Sequence, residues 1–242
     1  MKLYKHLVFD TSNIFLRAFN GITIKDEAPK LAANMVKKII RENAGPKCSF
    51  YFLCDNWNSN PSTNFVTARK SIDNQYKANR TYDPKVFHGI SVFKNWLKTI
   101  PNSCIIQEPQ READDLLLGV MAKTGNDFVL LVSADLDWAC EMSRERHWFN
   151  FDQIFTPSDF EAKYKYPATR NSILLHKTFR GDKSDNIPNP NTRIKEEDLL
   201  QLILSGKTLP EIIQDPPSSL REAIVSHKDR LLKNWELLNP LF

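Results

Sequence analysis

Nine carboxylates of this 242-residue chain fall into five short stretches. They are Asp10 at the end of Leu7-Val8-Phe9, Asp55 at the end of Phe52-Leu53-Cys54, Glu112-Ala113-Asp114-Asp115, Asp135-Leu136-Asp137, and Gly181-Asp182-Lys183-Ser184-Asp185-Asn186. Each has an ordinary structural reading. An Asp after a strand is a common helix N-cap, acids in a first helical turn favour the helix dipole, and an Asp-rich turn is a common loop. Grouped together, they would repel unless cations balanced them. Hard divalent cations take oxygen ligands, and Mg²⁺ suits phosphate chemistry. Two such ions roughly 4 Å apart can activate water and stabilise the leaving oxygen of a phosphodiester. The expected cofactor is therefore two Mg²⁺, or Mn²⁺. The histidines at 6, 88, 147, 176 and 227 lack metal-ligand spacing, which argues against zinc. P-loop, dinucleotide and nucleophile-elbow motifs are absent.

Charge supports the same chemistry. The net charge is +4, and without the nine clustered acids 20 acids face 33 bases, a balance of +13. An acidic centre on a basic body suits carboxylates for cations and bases for phosphates. Residues 56–84 form a long polar excursion in which Arg69, Lys70, Lys77 and Arg80 are interleaved with Trp57, Phe65, Tyr76 and Tyr82. Long connections of this kind are usually functional. Lys77 and Arg80, at i,i+3, would share a helical face. The excursion is expected to stay mobile, with Lys77 solvated, until substrate arrives.

The elements that must position these groups read as alternating strands and helices. Strands are expected at 5–10, 50–55, 103–107, 128–133 and 147–151, and helices at 30–43, 86–100 and 112–123. This argues for an α/β fold, a mostly parallel central sheet flanked by helices, followed by a helical C-terminal region. The domain reading is an α/β core over 1–156, carrying a basic arch at about 57–84, and a helical region over 157–242. Asp10, Asp55 and Asp135 then end strands on one edge of the sheet, where ligands bind in open α/β folds. The N-terminus lacks a signal peptide pattern, and no apolar run approaches the roughly 20 residues of a membrane span. Cys48, Cys54, Cys104 and Cys140 read as reduced thiols. A cytoplasmic location, that of the host if the chain is phage-encoded, is expected.

Val8-Phe9-Asp10-Thr11-Ser12-Asn13, Tyr76-Lys77-Ala78-Asn79-Arg80, Glu112-Ala113-Asp114-Asp115, Ser133-Ala134-Asp135-Leu136-Asp137 and Gly181-Asp182-Lys183-Ser184-Asp185-Asn186-Ile187-Pro188 together resemble the 5′-to-3′ exonuclease and flap endonuclease family, with its PIN-like core. The compact length and the divergent tail look most similar to the bacteriophage ribonuclease H branch. The resemblance implies that Asp10, Asp55, Glu112 and Asp114 serve one metal ion, that Asp135, Asp137, Asp182 and Asp185 serve a second, and that Asp115 sits between them. It implies that Lys77 and Arg80 contact the scissile phosphate from the arch. Arg17, Arg69, Lys70, Lys183, Arg193 and Lys195 are the expected nucleic-acid contacts.

The sequence departs from the family after Pro188. A Gly-rich hairpin is expected there, but Asn189-Pro190-Asn191-Thr192-Arg193-Ile194-Lys195 contains no Gly, so a tight phosphate-binding nest is hard to build. The implied activity is a metal-dependent 5′ exonuclease and flap endonuclease on branched or nicked DNA and on RNA–DNA hybrids, in primer or flap removal during replication. A PIN-type ribonuclease and a non-catalytic structure-specific binder are the alternatives. The expected partner is nucleic acid with a 5′ end, acted on by a monomer; a single-strand-binding protein or clamp stays open.

Overall fold

The fold is seen in a computed structural model in which residues 3–55, 69–78 and 83–239 are described. The chain divides into two compact units, one of residues 1–67 and 82–157, the other of residues 68–81 and 158–242. Residues 68–81, placed with the arch in the sequence reading, thus group with the C-terminal part.

In the first unit the strands are β1 (Tyr4–Asp10), β2 (Ala44–Leu53), β3 (Ser103–Ile106), β4 (Val129–Val132), β5 (Arg146–Phe149) and β6 (Ile154–Phe155). They form one sheet in the order β3-β2-β1-β4-β5-β6. β1 to β5 pair in parallel, and β6 is an antiparallel edge strand. Between them run α1 (Thr11–Asn20), α2 (Ala28–Asn43), α4 (Pro84–Leu97) and α5 (Ala113–Thr124), α3 being the short helix Arg69–Ile72 of the other unit. The chain winds outward from β1 through β2 to β3, then crosses back to β4 and β5. The strand order therefore reverses between β1 and β4, and the crevice outside their carboxyl ends is where such sheets bind ligands.

Burial explains why these segments are strands. Leu7, Val8, Phe9 and all four residues of β4 are fully buried, as expected for parallel strands covered on both faces. Phe9 stacks on Phe52 of the neighbouring strand at 4.8 Å. Gly89 is needed where α4 crosses α1: a Cβ there would lie 2.6 Å from the Phe15 ring, so a side chain would drive the helices apart. β6 escaped the sequence reading because two residues carry too little periodicity to be seen. β2 starts six residues earlier than expected, because Ala44 pairs with Tyr4 and the chain then bulges through Gly45-Pro46-Lys47 before the ladder resumes at Ser49.

The second unit is helical: α3, α6 (Pro157–Tyr164), α7 (Arg170–Arg180), α8 (Glu196–Leu204), α9 (Leu209–Gln214), α10 (Arg221–Ser226) and α11 (Lys228–Leu238). Tyr76, Leu174, Ile187, Leu237 and Leu238 form a small core. Asn234, fully buried on α11, donates to the carbonyls of Thr178 (3.1 Å) and Pro188 (2.9 Å), tying α11 to α7 and to the acidic turn. Among the described residues no helix is long and apolar enough to cross a membrane.

Candidate active site

Asp10 lies within electrostatic reach of Asp55 and Asp135. It is 7% exposed at the end of β1. One oxygen caps α1 by accepting from the Asn13 N–H at 2.9 Å; the other accepts from the Ser133 hydroxyl at 2.8 Å. Burial, and after it the charge of Asp55, push its carboxyl up to about 7; the two hydrogen bonds oppose this and Asp135 adds to it. Like charges crowded in low dielectric raise a carboxyl in this way.

The flanking groups are set by helix and turn starts. Asp55 accepts from the N–H of Ala113, the first residue of α5, at 2.9 Å. Glu112 is the N-cap of that helix. Its side chain accepts from the Asp115 N–H, and Asp115 returns a bond to the Glu112 N–H at 3.0 Å, a reciprocal capping box. Both are buried, and Asp114 is half-buried between them in sequence. Asp135 caps the 3₁₀ turn Leu136–Glu141 by accepting from the Asp137 N–H at 3.0 Å. The capping reading holds: one oxygen of each capping Asp meets a backbone N–H, which fixes the direction of the carboxylate. Among the described residues, however, no three of His, Cys, Asp and Glu come close enough to hold an ion together.

Two residues that the sequence reading left without a role hold this arrangement. Ser133 is fully buried, donates to Asp10 and accepts from the Asp135 N–H at 3.0 Å. Its own carbonyl accepts from the Trp148 indole at 2.7 Å. Asn13 accepts from the Ala134 N–H at 3.2 Å. The signal was present: a hydroxyl closing a wholly apolar strand has no packing reason to be there.

Asp182 and Asp185 lie in the second unit. Asp182 accepts from Lys177 at 2.9 Å and from both the hydroxyl and the N–H of Ser184. Burial raises its pKa, but Lys177 and Ser184 outweigh this and hold it at about 2. Lys177 was also missed; a lysine on the apolar face of α7 was its signal. Gly181 precedes Asp182 at φ +75, and a Cβ there would meet the Asn189 N at 2.6 Å, so only glycine closes this turn. Asp185 accepts from the Tyr76 hydroxyl at 3.0 Å, lies 3.8 Å from the Lys77 ammonium, and its carbonyl accepts from the Lys77 N–H at 2.8 Å.

Three expectations are corrected here. Lys77 is not solvated: its side chain is 13% exposed beside Asp185, because Tyr76 packs into the α11 core and carries it there. Its backbone at φ +54 interrupts any helix, so a shared helical face with Arg80 does not run through it; Arg80 itself lies outside the described residues. Arg69 is not a phosphate contact. It is 1% exposed and donates its Nε to the Leu237 carbonyl at 3.0 Å, anchoring α3 to α11. Lys70 is half-buried, and Lys183, Arg193 and Lys195 are exposed. Arg17 lies over the Phe151 ring at 5.0 Å and 3.8 Å from Asp152. Beyond Pro188, Asn191 and Arg193 adopt left-handed backbone at φ +56 each without glycine.

The chain belongs to the 5′-3′ exonuclease family: residues 5–165 match the model of the 5′-3′ exonuclease N-terminal resolvase-like domain. Among solved structures it is similar to the bacteriophage T5 5′-exonuclease with bound divalent metal ions (zinc), with a TM-score of 0.74 and 20% identity over 98% of this chain and 89% of that one. It is similar to a bacteriophage T5 flap endonuclease pseudo-enzyme–product complex with DNA and metal ions, at 0.73 and 19% identity over 96% and 88%. It is also similar to the catalytic core of Rad2 in complex with DNA substrate, at 0.55 and 10% identity over 93% and 73%. Among curated proteins no match is found. The fold is thus that of the PIN-like 5′ nucleases.

Proposed function

We propose that this chain is a divalent-metal-dependent 5′-to-3′ exonuclease and flap endonuclease, hydrolysing phosphodiesters of DNA and of RNA–DNA hybrids in primer or flap removal. The observation that carries the reading is Asp10, buried between the charges of Asp55 and Asp135 and pushed up to about 7. A carboxylate so placed is relieved by a cation, and its neighbours offer oxygen alone. Among the described residues no three of His, Cys, Asp and Glu could hold an ion by themselves.

By family resemblance, Asp10, Asp55, Glu112 and Asp114 would serve one ion and Asp135 and Asp137 a second, with bound water between some of them and the metal. Asp115 keeps Glu112 in place through the capping box. Asp182 and Asp185 join the metal set on family resemblance, each already balanced by a lysine. When bound, the ions supply charge stabilisation and an activated water for attack on phosphorus. The chain's own part is orientation: the Ser133 hydroxyl and the Asn13 N–H fix the Asp10 carboxylate, the Asp137 N–H fixes that of Asp135, and Lys77 would offer a positive charge to the phosphate.

Cleavage of a 5′-labelled flap in Mg²⁺ and in EDTA, with DNA and RNA 5′ strands, tests the reading. Cleavage of both strands in Mg²⁺ alone is expected. Binding without cleavage in any divalent metal would leave only a structure-specific binder.

A further inference from the structure

α2 and α4 enclose a cleft of about 580 Å³ that the catalytic carboxylates do not line. Its rim carries Lys25, Lys30, Lys37 and Lys85, and its floor includes Val92 and Trp96. Asp26 is its one acid, and Lys85 already pairs with it at 3.2 Å. Lys25 donates to the Phe19 carbonyl at 2.6 Å. Lys30 and Lys37 are exposed, without a carboxylate partner among the described residues. Lys37 reaches over the Trp96 ring at 5.5 Å, and Trp96 is held in turn by stacking on Phe93. Val92, at 44% exposure, is an apolar surface that the fold leaves uncovered.

Topology gives this cleft a direction. α2 ends at Asn43 and β2 begins at Ala44, so α2 finishes at the amino edge of the sheet and starts near the carboxyl edge. α4 runs the same way, ending at Leu97 shortly before β3. The end marked by Lys25 and Lys85 therefore opens on the edge where Asp10, Asp55 and Asp135 stand. From there the lysines of α2 recede along the helix: Lys30 and Lys37 are seven residues apart, roughly 10 Å at 1.5 Å per residue.

We infer that this cleft is a binding groove for single-stranded nucleic acid, taking the 5′ strand beyond the position that is cut. This rests on the reading of the chain as a 5′ nuclease and names where the unpaired strand lies. Rows of lysine beside an aromatic and apolar floor are what a single strand requires: phosphates draw Lys37 off the Trp96 ring, and bases take its place there and against Val92. The groove has no convergent donors of fixed geometry for one defined small molecule. Its opening on the carboxylate edge favours a strand continuous with the substrate over an acidic peptide.

The test compares binding of a duplex carrying a 5′ single-stranded tail of roughly 12 nucleotides, within the usual sizes for such grooves, with the same duplex carrying a minimal tail. Both are titrated in Ca²⁺ against the full chain and against Lys30→Glu/Lys37→Glu. The wild type should bind the long tail more tightly, and the variant should lose about tenfold of that gain. Its slope of log affinity against log salt should fall by about 1.4 for two lost contacts on a single strand. Cleavage of the minimal-tail substrate should not change. Lysine acetylation of the wild type gives a second readout that needs no variant: Lys30 and Lys37 should be protected by the long tail and not by the short one. An unchanged gain and slope, or an equal loss for both substrates, overturns the inference. So does protection of these lysines by a Glu-rich peptide containing an aromatic residue and not by the tail. Tail binding through the groove without Mg²⁺-dependent cleavage would instead sink the nuclease reading alone.

Discussion

The hydroxyl of Ser133 and the carboxylate of Asp10 meet at 2.8 Å, joining the end of β4 to the end of β1. These are the two strands between which the winding of the sheet reverses. The same hydroxyl accepts from the Asp135 N–H, so one buried serine orients the Asp10 carboxylate and pins the backbone that carries Asp135. Ser133→Ala removes a bond that holds the pKa of Asp10 down, so that pKa should rise further above about 7. A rise from about 7 to about 8 would cut the ionised fraction at pH 7 roughly fivefold. The Mg²⁺ concentration needed for half-maximal cleavage at neutral pH should rise, because the ion must displace a more tightly held proton, and it should fall back as the pH is raised. A pH dependence of that concentration superimposable on the wild type's would remove Ser133 from this role.

Asp10 also gives the metal-free protein a pH-dependent stability. Its pKa is raised from 3.8 to about 7 on folding. Between those values the folded protein keeps a proton that the unfolded chain has released, so stability falls as pH rises through the window. A window about three pH units wide corresponds to an upper bound of about 4 kcal/mol. In EDTA, Asp10→Asn should therefore melt higher than wild type at pH 8 and nearly equal to it at pH 4. Mg²⁺ should raise the melting temperature of the wild type more than that of the variant. A variant less stable than wild type at pH 8 in EDTA would contradict the charge-crowding account.

Asp182 has the opposite sign. Its pKa is lowered to about 2, so its contribution is present above the ordinary value of 3.8 and is lost as pH falls from there toward 2. The partner is Lys177, and the two side chains are 9% and 12% exposed. Removing one member of a buried pair leaves an unbalanced charge, at a cost of about 3–5 kcal/mol. Lys177→Met should show that loss in denaturant unfolding at pH 7, and Lys177→Met/Asp182→Asn should recover much of it. Equal losses in the single and double variants would mean that Lys177 acts by packing and not by charge.

The parts of this fold legible in the sequence are those decided locally. The apolar runs of β1 and β4 and the helix-period stripes of α2, α4 and α5 announce themselves, and an acid after an apolar run marks a strand end. What was not legible depends on partners far along the chain. Arg69 reads as one more base in a basic excursion, until the Leu237 carbonyl, 168 residues away, accepts its Nε. Lys77 reads as solvated, until the turn at Asp182–Ile187 supplies an acid and a carbonyl for it. Residue type gave the charge of these side chains; only tertiary packing decides whether that charge faces water.

Lys77 gives the sharpest test of what that packing does. Its ammonium lies 3.8 Å from Asp185 and 5.0 Å from the Tyr76 ring centre, and its N–H holds the Asp185 carbonyl at 2.8 Å. The charge is therefore held beside Asp185 within its own unit before substrate arrives. A pre-placed charge acts most where negative charge builds up in the transition state. Lys77→Ala should lower the single-turnover rate by roughly a hundredfold, within the range for losing one preorganised electrostatic group. Affinity should change by less than about threefold, because many other bases hold the phosphates. Lys77→Arg should recover part of the rate, since it keeps the charge. Global stability should fall by about 1–3 kcal/mol, less than for Lys177, because this pair is looser at 3.8 Å and Asp185 keeps the Tyr76 hydroxyl. Single-turnover kinetics beside a binding titration in Ca²⁺ decides the matter. If affinity falls as far as rate, Lys77 is an ordinary backbone anchor. If Lys77→Arg is as slow as Lys77→Ala, position and not charge is what the residue supplies.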